Sequence, residues 1–87
     1  MTDQLPFLET IADRFLSLSG KVLVTAEDYD YFRRWDDAGI PLSVATRGLE
    51  DAIERWPYQR RHKIMARNCD SSVRETHAHW KRAIGPG

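Results

Sequence analysis

Hydrophobic positions along this 87-residue chain return at intervals of three and four in several stretches, the period of a helix with one face turned inward. In PFLETIADRFLSLSG the series is Phe7, Leu8, Ile11, Phe15 and Leu18, with Pro6 suited to a first turn and Gly20 to a stop. KVLV comes next. It is too short to be more than an extended connector or a lone strand, a lone strand makes no sheet, and its apolar side chains are expected to serve packing. Thr25 then opens TAEDYDYFRRWDDAG. With Asp28 three positions on, it forms a variant of the capping box, Glu27 and Asp28 complement the helix dipole, and Tyr31, Phe32, Trp35 and Ala38 share a face.

Gly39 supplies a left-handed C-terminal stop, Ile40 can fold back onto the preceding turn, and Pro41 is pre-set for the start of another helix. The corner Gly39-Pro41 is therefore expected to make a helical hairpin. Beyond it Leu42, Ala45, Leu49, Ala52, Ile53 and Trp56 follow helical spacing without a break, and Pro57 ends the run. Gly48 sits inside this helix at a cost of about 1 kcal/mol relative to Ala, which points to close approach of a neighbouring helix. YQRRHKIMARNC and DSSVRETHAHWKRAIG predict two further helical pieces. The second would be capped by Asp70 or Ser71 and carry a seam of Val73, His77, Trp80 and Ile84. The expected fold is all-α, a compact bundle of four to five short helices in a single domain over residues 1–87, with residues 84–87 frayed.

Charge changes the picture more than composition does. The net charge is zero, yet residues 1–54 hold five basic against eleven acidic side chains, and residues 55–87 hold eight basic against Asp70 and Glu75. The chain is bipolar, by −6 and +6. All three histidines fall in the basic part, so acidification makes it more basic. The acidic start MTDQLPFLETIAD has neither the basic region of a signal peptide nor a long apolar run, and the expected location is cytoplasmic. Cys69 is the one cysteine, which excludes an internal disulfide and zinc sites built on paired cysteines. A chain this short buries a small share of its surface, so a partner or a second copy is a natural source of added stability.

The corner followed by Ser43, Thr46 and Arg47 has the layout of a helix-turn-helix, but that face continues into Glu50, Asp51 and Glu54, which would repel phosphate. A packed bundle helix with a solvated face is the better reading. The basic segment is the stronger nucleic-acid signal: Arg55, Arg60, Arg61, Lys63 and Arg67, with His62, are interleaved with Trp56 and Tyr58. The same cations could instead face acidic helices of this chain, of a second copy or of another protein. Tyr29, to the side of the Phe32 and Trp35 face and beside Arg33, is a further candidate protein contact.

Metal and catalytic readings are weaker. His77 and His79 are two apart on a helix and diverge by about 200 degrees, whereas helical ligand pairs need spacings of three or four. His77 is expected to face the core beside Trp80. Cys69 lacks an orienting partner or an oxyanion site in the sequence, and it reads as a small packed residue. No Gly-rich phosphate loop or cofactor fingerprint is present. Trp35, Trp56 and Trp80, one per helical segment on the apolar side, suit a shared core.

The succession RFLSLSG, TAEDYDYFRRWDDAGIPLSVATRGLEDA and a basic stretch leading to KIMARNCDSSV resembles a family of small uncharacterised bacterial helical proteins. That pattern is a short leader ending in Gly, a Ser/Thr-capped helix containing Trp, Gly-Ile-Pro-Leu, an Arg-Gly-Ile-like pair, a basic segment and a Cys. The resemblance runs from Phe15 to Val73 and implies a helical fold, with no function attached. A more distant similarity is to DnaD-like helical domains of replication proteins. Their Tyr-three-Ile-three-Trp arrangement is absent here, because Ile64 lies six positions after Tyr58 and Trp80 is far beyond.

The sequence thus predicts a non-catalytic helical interaction module with no cofactor, metal, membrane or small-molecule substrate. It would be an adaptor or small subunit that binds another protein or a second copy of itself. The alternative is a nucleic-acid-binding domain using Arg55 to Arg67.

Overall fold

The helix start most strongly marked in the sequence is built as the sequence implies. Thr25 is extended, its hydroxyl accepts from the Asp28 N–H at 3.1 Å, and the Asp28 carboxylate accepts from the Thr25 N–H at 3.1 Å, which closes the capping box. The computed structural model describes residues 4–84. In these the chain forms α1 (Gln4–Ser19), α2 (Ala26–Asp37), α3 (Leu42–Arg55), a 3₁₀ helix (Tyr58–Lys63) and α4 (Ala66–Ile84), with no strand among the described residues. The frayed end expected at 84–87 falls outside the described residues except for Ile84, which closes α4.

At the corner Gly39 takes φ +79, a conformation that a side chain disfavours. Its N–H reaches the Asp36 carbonyl at 3.0 Å, and the Ile40 N–H reaches back to the Trp35 carbonyl at 3.1 Å. Ile40 is buried against the turn it follows. The two helices joined here are not a packed hairpin, however. α3 packs most extensively along α4, α2 packs on α1 and α4, and α1 also packs on α3. Each helix therefore has two main neighbours, and α2 and α3 stand diagonally across the bundle. Gly48 explains the choice: a Cβ there would lie 2.5 Å from the Val73 Cα and 3.1 Å from the Ser72 carbonyl oxygen, so its absence lets α3 and α4 meet backbone to backbone. The Ser72 hydroxyl fastens the contact by donating to the Gly48 carbonyl at 2.8 Å.

One contiguous core lies between the helices. Phe7, Ile11 and Phe15 of α1, Phe32 and Trp35 of α2, Leu49 and Ile53 of α3 and Val73 of α4 are buried in it, each large side chain contributing about 1.5–3 kcal/mol. Phe15 meets Phe32 edge-on at 5.7 Å, and Phe32 meets Trp35 at 5.5 Å. Trp35 keeps its indole N–H satisfied inside this core by donating to Asp70 at 2.7 Å.

The C-terminal third departs from expectation. No helix starts at Asp70 or Ser71: α4 begins at Ala66 and runs through both. Its start is held by Asn68, which accepts from the N–H of Met65 just before the helix at 2.9 Å, and by the fully buried Asp28, which accepts from the Ala66 N–H at 3.0 Å. Asp28 thus serves the starts of both α2 and α4. The segment before it is a 3₁₀ turn ended by the buried Ile64, not an α-helical piece. The expected seam on α4 is buried only at Val73. His77 is half-buried, and Trp80 and Ile84 are 37% and 60% exposed. KVLV does not pack as expected either, since Val22 and Leu23 are 86% and 73% exposed and only Val24 reaches the core.

Candidate partner-binding surface

The basic segment follows from Pro57, which stops α3, and from Ile64, which the core holds; between them six residues wind tightly as the 3₁₀ turn. Several of its predicted site residues are engaged inside the molecule. Arg55 donates to the Ser72 hydroxyl at 3.2 Å and to the Asp51 carbonyl at 3.3 Å, a tie between α3 and α4. Arg67 pairs with Glu27 at 3.4 Å and joins α4 to α2. Arg61 reaches the Glu54 carbonyl at 3.5 Å and lies over the Tyr58 ring, its carbon 5.1 Å from the ring centre. Its Nε is buried and makes no hydrogen bond.

Arg60 and Lys63 differ from these three. Both are exposed, and neither side chain has an ion pair or hydrogen bond among the described residues. Trp56 donates its indole N–H to the Arg60 carbonyl at 2.9 Å and so fixes the backbone that presents them. Tyr58 stands 78% exposed on the same turn. The structure therefore keeps Tyr58, Arg60 and Lys63 of the predicted set as a free surface and assigns Arg55, Arg61 and Arg67 to internal ties. Tyr29 is half-buried with its ring edge 5.8 Å from Phe32, and Arg33 is spoken for by Asp30 at 3.1 Å. Those two do not form an exposed pair as expected.

What the sequence missed is the loop beside this turn. Ser17 to Gly20 line a shallow cavity of about 410 Å³ together with Tyr58, Gln59, Arg61 and His62, and the chain then passes straight into Lys21, Val22 and Leu23. Lys21 anchors the loop by donating from Nζ to the Ile64 carbonyl at 2.8 Å and by lying 5.7 Å from the Phe15 ring centre. Val22 and Leu23 are thus held out on a pinned loop. The one signal for this was their place between the Gly20 stop and the Thr25 cap, too few residues to turn back into the core.

The remaining chemistry is quiet. Cys69 is fully buried, its thiol 3.7 Å from the Met65 carbonyl, and desolvation first and the charge of Asp28 second push it up to about 12. It is a protonated packing residue at neutral pH. His77 stacks on Trp80 at 5.9 Å instead of entering the core, with its pKa lowered by desolvation and by the charges of Lys81 and Arg74. His79 is exposed, with the Arg82 guanidinium 3.2 Å from its Nδ1. No group of three or more metal-binding side chains occurs among the described residues, and no helix there is long and apolar enough to cross a membrane.

Fold and surface together define a class: a small all-α bundle with one core, internal tethers drawn from its basic segment, and apolar side chains left outside at chosen points. Residues 7–85 match the model of a family described as an uncharacterised protein, and the chain belongs to that family. No curated protein and no solved structure matches it.

Proposed function

We propose that the protein is a non-catalytic interaction module, an adaptor or small subunit, that binds another protein through the end formed by Val22, Leu23, Tyr58, Arg60 and Lys63. The observation that carries the reading is the exposure of three large apolar side chains, 86%, 73% and 78%, on a loop and a turn that are both pinned to the core. Isolated exposed apolar residues are ordinary, but grouped ones rimmed by cations are a common feature of protein contacts. The partner would offer an apolar surface with carboxylates at its rim.

The setting we propose is the bacterial cytoplasm: the resemblance of residues Phe15 to Val73 supports the bacterial part, and a lone cysteine kept as a buried thiol suits a reducing compartment. Nucleic-acid binding is the second reading, favoured by an exposed Tyr58 beside Arg60 and Lys63, which have no ion pair among the described residues. It has fewer cations to draw on than the basic segment suggests, since Arg55, Arg61 and Arg67 are engaged by groups of this same chain. The likeness to DnaD-like domains adds no DNA role, because their Tyr-Ile-Trp arrangement is missing.

Capture of partners from the native source, with and without nuclease, separates the two readings. The double variant Leu23→Ser/Tyr58→Ala is expected to lose the captured protein while its helical circular dichroism is unchanged, and nuclease is expected to make no difference. Loss on nuclease treatment together with loss in Arg60→Gln/Lys63→Gln would replace the protein reading by the nucleic-acid one. Retention in both variants would exclude this surface.

A further inference from the structure

α3 and α4 run side by side in opposite directions, with Gly48 set against Val73 and the start of α3 at Ser43 and Val44 beside His79 and Ala83 near the end of α4. Six residues back from Gly48 the helix α3 begins, at Leu42; six residues forward from Val73, α4 has reached only His79. The last turns of α4 are therefore covered only by the start of α3, and loosely: Thr76, His79, Trp80 and Ala83 share an open cavity of about 400 Å³ with Ser43, Val44 and Arg47. Every residue from Ala78 to Ile84 is exposed. This arm is nonetheless amphipathic, with Trp80 and Ile84 one turn apart, and it is cationic through Lys81 and Arg82. Neither Lys81 nor Arg82 pairs with a carboxylate among the described residues.

The same end of the bundle carries the opposite surface. Gln4 donates to Asp37 at 2.5 Å, so the start of α1 lies at the end of α2, close to the corner and the start of α3. Along the outer side of α1, Leu5, Glu9 and Asp13 follow one another at intervals of four, all exposed, Leu5 by 58%. Glu9 and Asp13 have no ion pair among the described residues. One face is a leucine followed by two carboxylates; the other is a tryptophan and an isoleucine flanked by two cations.

We infer that two copies of this chain associate through a reciprocal contact in which the α4 arm of each lies on the outer face of α1 of the other. Trp80 and Ile84 meet the apolar start of α1 at Leu5, and Lys81 and Arg82 face Glu9 and Asp13. A two-fold axis makes this contact twice, since whatever patch one copy offers, the other offers back. Charge chooses it over the simpler pairing of arm with arm, which would bring Lys81 and Arg82 of both copies together. It also draws on the segregation of charge along the chain, whose first 54 residues are acidic and whose remainder is basic. The contact uses the end of the bundle opposite the Val22 and Tyr58 surface, so either proposal can fail without the other.

Sedimentation of the full chain tests it. The wild type is expected at twice the monomer mass at low ionic strength and to shift toward monomer at high ionic strength, because the exposed charge pairs are screened. Trp80→Ala/Ile84→Ser and, separately, Lys81→Glu/Arg82→Glu are each expected to be monomeric, weakening association by about tenfold or more. Glu9→Lys/Asp13→Lys should be monomeric as well. A mixture of Lys81→Glu/Arg82→Glu with Glu9→Lys/Asp13→Lys should recover a mixed dimer, since both arms then meet an opposite charge. A wild type that stays monomeric at low salt overturns the inference, as does a dimer that survives the Lys81→Glu/Arg82→Glu change. Two monomeric charge variants that fail to pair when mixed, although each retains wild-type helicity, overturn the choice of α1 as the receiving face.

Discussion

The two halves of α4 are one continuous helix and yet behave as two different regions. From Ala66 to Val73 its inner side chains are buried, its start is held by Asp28 and Asn68, Asp70 receives the Trp35 indole, and Ser72 is tied to Gly48. From Arg74 to Ile84 no side chain is fully buried, although Trp80 and Ile84 continue the same apolar stripe. The difference lies in what stands opposite. The first half is packed closely between α2 and α3, whereas the second half meets only the start of α3 across an open cavity lined by Ser43, Val44, Arg47, Thr76, His79, Trp80 and Ala83. An apolar stripe therefore means core only where another element is there to cover it.

Two tryptophans put that comparison to its hardest test. Trp35→Ala removes a fully buried ring and leaves Asp70 without its indole donor, and the expected loss is about 3–5 kcal/mol in denaturant unfolding. Trp80→Ala, measured at a concentration low enough to keep the chain monomeric, should cost clearly less, about 1–2 kcal/mol, because its ring is 37% exposed and packs only on His77 and the start of α3. Equal losses would mean that the arm is part of the core after all. Gly48→Ala comes next in size. Helix propensity would favour alanine by about 1 kcal/mol, but the atoms met are the backbone of Val73 and Ser72, which cannot move without displacing the first half of α4. The packing term wins, and a net loss of about 1–3 kcal/mol is expected; a stabilised variant would show that the two helices are free to separate.

The smallest expected effect is titration of His77, in the second half of α4. His77 has its pKa lowered from the ordinary 6.5 by desolvation and by Lys81 and Arg74, so the fold favours the neutral imidazole. Its contribution is present above pH 6.5 and is lost as the pH falls through that value toward the lowered one in the fold. A shallow loss of stability on acidification below pH 6.5 should accordingly be missing in His77→Gln, read by thermal melts across that range. An unchanged profile in the variant would assign the acid sensitivity to other groups.

Much of the candidate surface escaped the sequence for a reason visible in single residues. Arg55, Arg61 and Arg67 look alike in sequence to Arg60 and Lys63, and only their tertiary partners, Ser72, the Glu54 carbonyl and Glu27, separate tether from free cation. Val22 and Leu23 read as core because they are apolar, but the loop is too short and too firmly pinned at Lys21 to return them to it.

By itself the chain determined whatever is settled within a few neighbouring residues: the Thr25 and Asp28 cap, the Gly39 turn with Ile40 folded back, and the inner faces of α1, α2 and α3. Even Gly48 announced a close neighbour, because a glycine inside a helix has a cost that calls for a return. Tertiary structure alone decided which neighbour it was, where α4 begins and where its burial stops. Those depend on groups far away in sequence, Asp28 capping a helix 38 positions later and the start of α3 leaving an open cavity against Trp80, and local propensity carries no record of them.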